Sequence, residues 1–281
     1  MPWTDFRDNA DWMSHIWGGL EWLLATENNH PWFTLPAVTI LTVFPDYMHT
    51  KFLGTDRFVY GAILFMICYM LLPGTPEGNL AAVWSKIDAY YRRYNVKNRY
   101  GMLKLTMFVM GPGGYPALKG KAIEIRNFGP ALLDAWRQGM NTLDDTHVTI
   151  FMLLTSSVKM DTILAENFDE PKLPAAAAAL FMRNALTYCQ ISTLMANFND
   201  VRLFNITPKF HYLLHIAHRS GHFNPAWAWC FMGEDYMMVF KRCAAMCCRG
   251  VKSHKASAKI AQKMMTALHY QLSGKAQSHI T

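Results

Sequence analysis

Apolar side chains recur every three to four residues along most of this chain, which is the spacing of helices that bury one face. Several of these segments also begin with residues that favour a helix start. Examples are Ser253 and the Thr207-Pro208 pair. The joined segments 144–167 and 174–198 predict an antiparallel helical hairpin. The segments predicted as helices are 10–26, 58–72, 80–94, 144–167, 174–198, 208–219, 234–249 and 253–274.

One stretch departs from helical spacing. Residues 37–44 are continuously apolar and rich in Val, Ile and Thr, which predicts a buried strand that Pro45 ends. Asp46 would then lie at the carboxyl end of the strand, with His49 one helical turn later. A strand that fixes a carboxylate beside a His is one way to build a metal–phosphate site. The alternative interpretation is that Asp46 caps the helix that follows it.

Composition indicates a chain with a large core. The 281 residues are 52% hydrophobic and 14% aromatic, and six cysteines without any CxxC pair indicate reduced thiols in an intracellular protein. The uncharged segment 58–72 has 15 residues, whereas a membrane span needs roughly 20. We therefore expect a buried helix there and no transmembrane segment, with a span as the alternative.

Charge is distributed unevenly between the two ends of the chain. Residues 1–200 carry 16 basic and 18 acidic side chains, a net charge of −2, whereas residues 201–281 carry 11 and 2, a net of +9. This asymmetry predicts a polyanionic partner, most simply nucleic acid, with binding that is salt-dependent and largely independent of base sequence. The alternative is a set of solvated helix faces. The candidate phosphate contacts are Lys119, Lys121, Arg126, Lys241, Arg242, Lys252, Lys255 and Lys259.

A second candidate metal site lies on the helix that follows Thr207-Pro208. His211 and His215 are four residues apart, so both project from the same face, and such a pair can bind zinc. The usual zinc signature has Glu directly after the first His, whereas Tyr212 stands there. A metal-dependent enzyme built on this pair and Glu234 is therefore an alternative function.

The order of these motifs resembles the distal part of DDE/D transposases of the CACTA-like kind. Pro45-Asp46-Tyr47-Met48-His49 comes first, then Leu118-Lys119-Gly120-Lys121, a long helical section, Thr207-Pro208-Lys209-Phe210-His211, and finally Gly233-Glu234-Asp235. The resemblance implies a mainly α fold with a partial RNase H-like α/β element, its strand at about 37–45, and a large helical insertion. It also implies that Asp46 and Glu234 are two of the metal-binding carboxylates, with His49 accompanying them, around catalytic Mg²⁺.

The sequence lacks the family's first catalytic Asp, because residues 1–36 contain no strand pattern that could hold it. We therefore expect a transposase-derived DNA-binding protein, truncated or repurposed, without independent strand cleavage. The expected location is nuclear or otherwise intracellular, and self-association into a homo-oligomer is a further expectation. A helical protein-interaction or membrane-surface module is the remaining alternative. The predicted segments are 1–95 with the RNase H-like element, 96–205 as the helical insertion, and 206–281 with the basic tail.

Overall fold

The computed structural model describes Asp5 and residues 44–109, 114–198, 202–248 and 252–277. These residues form helices joined by loops, with short 3₁₀ turns at Leu105–Met107 and Pro225–Trp227. The helices are α1 (Met48–Leu71), α2 (Pro76–Arg93), α3 (Ala122–Arg137), α4 (Asp145–Glu166), α5 (Ala175–Phe198), α6 (Pro208–Arg219), α7 (Phe231–Cys248) and α8 (Ser253–Gln277).

The prediction of an RNase H-like α/β element is wrong, because within the described residues the fold is helical and contains no strand. Of the predicted strand at about 37–45, the structure describes Phe44 and Pro45, and both are irregular. Residues 37–43 and the predicted helix 10–26 lie outside the described residues. The physical reason lies at Asp46. Its carboxylate accepts the N–H groups of Met48 (3.2 Å) and His49 (2.9 Å). Asp46 therefore caps a helix at the position where the sequence predicted a strand end.

The first helix, α1, begins ten residues earlier than its predicted start at Phe58 and has an unusual backbone. Met48–Asp56 and Ile67–Leu71 are π-helical, and Arg57–Met66 between them is α-helical. The π-helical turns bond residue i to i+5 and are uncommon outside functional or specialised sites. Tyr47, Met48, Phe52 and Tyr60 are fully buried, so α1 forms the centre of the described core.

The predicted helical hairpin is present as α4 and α5, which pack against each other. Asp144 caps α4 by accepting the N–H groups of Thr146 and His147. Around this pair, α3 packs on α4, α2 packs on α3, and α6 packs on both α5 and the first half of α1. The helix predicted at 80–94 begins at Pro76 instead, because Thr75 rather than Asn79 supplies the cap.

The chain divides into two compact units, one up to Trp229 and one from Cys230 onward. The second unit consists of α7 and α8 packed against each other. The three-part division predicted from the sequence stays a prediction. Two helices, Met48–Leu71 and Asp145–Glu166, are long and apolar enough to cross a membrane. That is weak evidence for a span, since the buried core helices of other proteins also meet these criteria.

Candidate functional site

The first predicted site residues, Asp46 and His49, do lie together. The Asp46 carboxylate contacts the Nδ1 atom of His49 at 2.5 Å, and both side chains are partly open to solvent. Lys209 of α6 donates to the His49 carbonyl oxygen at 2.9 Å, which ties α6 to the beginning of α1. The capping interpretation of Asp46 is thus confirmed, and its carboxylate is already used by two N–H groups and an imidazole.

Glu234, the second predicted carboxylate, lies near the beginning of α7, where an acidic residue is favoured by the helix dipole. Its side chain is outside the described part of the structure. Because Asp46 belongs to the first unit and Glu234 to the second, the proposed meeting of the two carboxylates around Mg²⁺ stays a prediction.

The most developed polar site of the first unit was not predicted. Lys51 is completely buried, and its Nζ donates to Asp56 Oδ2 (2.8 Å), Asp161 Oδ2 (2.8 Å) and Ser157 Oγ (3.0 Å). Ser157 in turn donates to Asp56 Oδ1 at 3.1 Å. Lys51 and Asp56 come from α1, and Ser157 and Asp161 are one turn apart on α4. We call these four residues and the three tyrosines below the Lys51 cluster.

Three buried tyrosines complete the Lys51 cluster. Tyr60 belongs to α1, Tyr47 immediately precedes α1, and Tyr188 belongs to α5. Together with Ser157 and Asp161 of α4, these residues make the cluster join three helices. Because the Ser157 hydroxyl donates to Asp56, it accepts the proton of Tyr60. The hydrogen bonds are Tyr188 Oη to Asp56 Oδ1 (2.9 Å), Tyr47 Oη to Asp161 Oδ1 (2.8 Å) and Tyr60 Oη to Ser157 Oγ (2.8 Å).

The π-helical backbone explains why Lys51 and Asp56 meet. In an α-helix, residues five apart are separated by about 140° around the axis, because each residue turns the chain by about 100°. In a π-helix the backbone bonds run from i to i+5, so residue i+5 is turned much less far from residue i around the axis. The π-helical turns of Met48–Asp56 thus bring Asp56 closer to the face that carries Lys51. The α-helical spacing expected from the sequence did not place the two residues together.

The electrostatics of the Lys51 cluster follow from burial and the two carboxylates. Burial acts to lower the pKa of Lys51, but the charges of Asp161 and Asp56 outweigh it and the pKa is raised, so the ammonium group stays charged. Burial, together with the Asp161 charge, raises the pKa of Asp56 despite Lys51. Burial, followed by nearby ionisable groups, also raises the pKa of all three tyrosines, which therefore remain donors.

The Lys51 cluster stabilises the packing of helices and offers no reactive group. All three N–H bonds of the Lys51 ammonium group are directed at oxygen acceptors, and no lone pair is available while it is charged. Of the two carboxylates, Asp56 is fully buried, whereas the Asp161 side chain is 13% exposed to solvent. A charged residue within an apolar segment, such as Lys51 or Asp161, was the one signal in the sequence that could have revealed the cluster.

The side chains of the predicted histidine pair on α6 point toward each other. The Nε2 atoms of His211 and His215 are 2.8 Å apart, and the two rings are nearly perpendicular. Burial, then the charges of His211, Arg219 and His218, lowers the pKa of His215 to about 4. Within the described part of the chain, no further His, Cys, Asp or Glu completes a set of three ligands with this pair. From the described residues, the pair therefore offers a metal ion two nitrogens.

The candidate phosphate contacts fall into two groups. In the first unit, Lys119 donates to the Thr106 carbonyl oxygen, and the Arg126 guanidinium lies 4.8 Å from the centre of the Trp229 ring. Lys121 begins α3, where its N–H donates to Glu124. The lysines and arginine predicted in the second unit are exposed. They are Lys241, Arg242, Lys252, Lys255 and Lys259.

The second unit also contains a groove between α7 and α8 with a volume of about 690 Å³. Cys243 and Cys247 lie at its base and are buried, whereas Lys259, Lys263 and Tyr270 line it from α8. The groove therefore combines an apolar base with positive charge along one side.

The chain matches no family model, no curated protein and no solved structure. The resemblance to transposases therefore rests on the short motifs alone.

Proposed function

We propose that this protein binds DNA through the second unit, with the lysines of α8 as its main phosphate contacts. The observation that supports this is a row of lysines on one side of α8. Lys255, Lys259 and Lys263 follow one another at intervals of four residues, and all three are exposed. Residues four apart lie one above the other on a helix, so the row extends about 12 Å along the axis.

The charge around this row is of one sign. The sequence contains no Asp or Glu from Tyr236 to Thr281, and Lys241 and Arg242 are exposed on α7. A surface that has cations without intervening carboxylates attracts a polyanion and releases its counterions on binding. Because the lysines carry point charges and contact phosphates rather than base edges, we expect little dependence on DNA sequence.

DNA binding of this kind requires neither an RNase H-like element nor a catalytic carboxylate. This mode of binding does require that the affinity for DNA decrease steeply as the salt concentration rises. Each phosphate contact to double-stranded DNA contributes about 0.9 to the slope of log K against log salt. Loss of three lysine contacts should therefore make the slope shallower by about 2.7.

The test is fluorescence anisotropy with a labelled duplex, measured at several salt concentrations for the full chain. The variant K255Q/K259Q/K263Q should bind more weakly and show the shallower slope. The matched control is K104Q/K159Q/K172Q, which removes the same charge from exposed lysines of the first unit. An equal loss of affinity in both variants would show that only the net charge of the chain matters and would contradict a specific role for α8. An unchanged salt slope in the α8 variant would also refute the proposal.

Vesicles with anionic lipids provide a second arm of the experiment. The exposed side chains of Met246, Met265 and Tyr270 lie on the same unit as the lysines. If the chain binds these vesicles and not the duplex, with the same dependence on the α8 lysines, the polyanion is a membrane surface and the DNA proposal is wrong.

A further inference from the structure

We propose that His211 and His215 form a two-nitrogen chelate for a divalent transition metal ion, and that it takes Cu²⁺ or Ni²⁺ in preference to Zn²⁺. The site lies on α6 in the first unit and is independent of the DNA-binding surface proposed for the second unit.

The distance between the two nitrogens favours some coordination geometries over others. Two His nitrogens at about 2.05 Å from one ion are about 2.9 Å apart when they meet it at 90°, and about 3.4 Å apart at a tetrahedral angle. The observed Nε2–Nε2 distance is 2.8 Å, and one ring donates a hydrogen bond to the other across it, so a bound ion would take the place of the shared proton. A square-planar or octahedral ion fits with almost no movement, whereas tetrahedral zinc would have to separate the rings by about 0.6 Å.

The helix that carries the pair is held firmly in place. Phe210, Leu213 and Leu214 are completely buried beside the two histidines, and Phe210 stacks on Tyr188 at 5.9 Å between ring centres. Lys209 anchors the same turn to the His49 carbonyl oxygen. Because the backbone is fixed by this packing, ligand binding costs little rearrangement, which favours a preorganised site.

These two histidines would supply two of the ligands, and other donors would occupy the remaining positions. Metal ligation uses the neutral form of each imidazole ring. Among N-ligand sites the affinity order rises from Co²⁺ through Ni²⁺ to Cu²⁺ and falls again at Zn²⁺, which agrees with the order that the geometry predicts.

The chain contains a matched control pair. His218 and His222 are also four residues apart, but α6 ends at Arg219, so His222 lies beyond the helix. The variant H218Q/H222Q removes two histidines from the same segment and should leave the chelate intact, whereas H211Q and H215Q should each remove it.

The experiment is titration of the untagged full chain with Ni²⁺ by calorimetry, and with Cu²⁺ by electron paramagnetic resonance. We expect one Ni²⁺ site per chain in the wild type and in H218Q/H222Q, with at least a tenfold loss of affinity in H211Q and in H215Q. The Cu²⁺ spectrum should show coupling to two equatorial nitrogens. Zn²⁺ should compete with Ni²⁺ only in excess.

Two single variants keep the test decisive if one of them folds poorly, because circular dichroism identifies the folded one. Nickel binding that persists in the folded His211 or His215 variant would overturn the proposal. So would the absence of Ni²⁺ binding in the wild type, a loss confined to H218Q/H222Q, or a Zn²⁺ affinity above that of Ni²⁺.

Discussion

Replacement of Lys51 by Met should destabilise the first unit strongly, because it removes the only cation from a buried group that contains two carboxylates. Met is similar in length to Lys and preserves most of the packing. What changes is electrostatic: Asp56 is fully buried and loses its counterion, and Asp161 loses one of its donors. The remaining partners of Asp56 are the hydroxyl groups of Ser157 and Tyr188.

The size of the effect follows from the cost of an uncompensated buried charge. Breaking a buried ion pair from one side costs about 3–5 kcal/mol, whereas an exposed lysine usually contributes less than about 0.5 kcal/mol. For a chain of this size, about 1 kcal/mol corresponds to roughly 2–4 °C in the melting temperature. We therefore expect K51M to melt about 6–20 °C lower than the wild type.

The destabilisation should depend on pH in a defined direction. The pKa of Asp56 in the folded protein is raised above its unfolded value, so protonation of Asp56 contributes stability that is full below the unfolded pKa, near 3.9. This contribution is lost as pH rises through the folded pKa. In K51M the folded pKa of Asp56 should rise further. The variant should therefore approach the stability of the wild type at acidic pH and fall furthest behind it at neutral pH.

Tryptophan fluorescence is a suitable probe, since all nine tryptophans precede Cys230 and therefore report the first unit alone. The control is K104M, which changes an exposed lysine. The double variant K51M/D56N should recover part of the loss, because it removes the charge that K51M leaves without a partner. A K51M variant within about 0.5 kcal/mol of the wild type at pH 7 would refute the electrostatic account of the Lys51 cluster.

Two further substitutions test local features of α1. Asp46→Ala should cost about 0.5–2 kcal/mol of unfolding free energy through loss of the cap, whereas Asp46→Asn should cost less; equal losses in denaturant titrations would argue against capping. Gly61→Ala should cost about 1–3 kcal/mol, since a Cβ atom there would lie 2.8 Å from the Ala117 backbone. Gly101→Ala, where a Cβ meets nothing within 4 Å, is its control, and similar stabilities of the two variants would contradict the close approach.

The sequence predicted most helices because their signals are local. Pro208 begins α6 and Ser253 begins α8, both at the predicted positions, and Asp144 caps α4 with its carboxylate, whereas the Thr207 side chain makes no capping hydrogen bond. These interactions involve neighbours within one turn, so composition and spacing are enough to identify them. The start of α1 was misread because Pro45 is compatible with a strand end as well as with a helix start, and the apolar residues before it favoured the strand.

The Lys51 cluster could not be predicted in the same way, because its contacts are distant in sequence. Asp161 is 110 residues from Lys51, and Tyr188 is 132 residues from Asp56. The His211–His215 pair is the opposite case. It lies within one helix, so spacing predicted that the rings would meet, but only the 2.8 Å separation distinguishes among metal geometries.

The backbone of α1 and the Lys51 cluster depend on each other. Without the π-helical turns, Asp56 would point about 140° away from Lys51 around the helix axis, and Lys51 would retain only Asp161 as an acidic partner within the cluster. The Lys51–Asp56 ion pair spans five residues, which is the interval of the i to i+5 bonds between Met48 and Asp56. The three buried charged side chains are thus paired with one another in the observed π-helical register of α1. In the same register Tyr47 bonds to Asp161 and Tyr60 bonds to Ser157, and these two contacts attach the first part of α1 to α4.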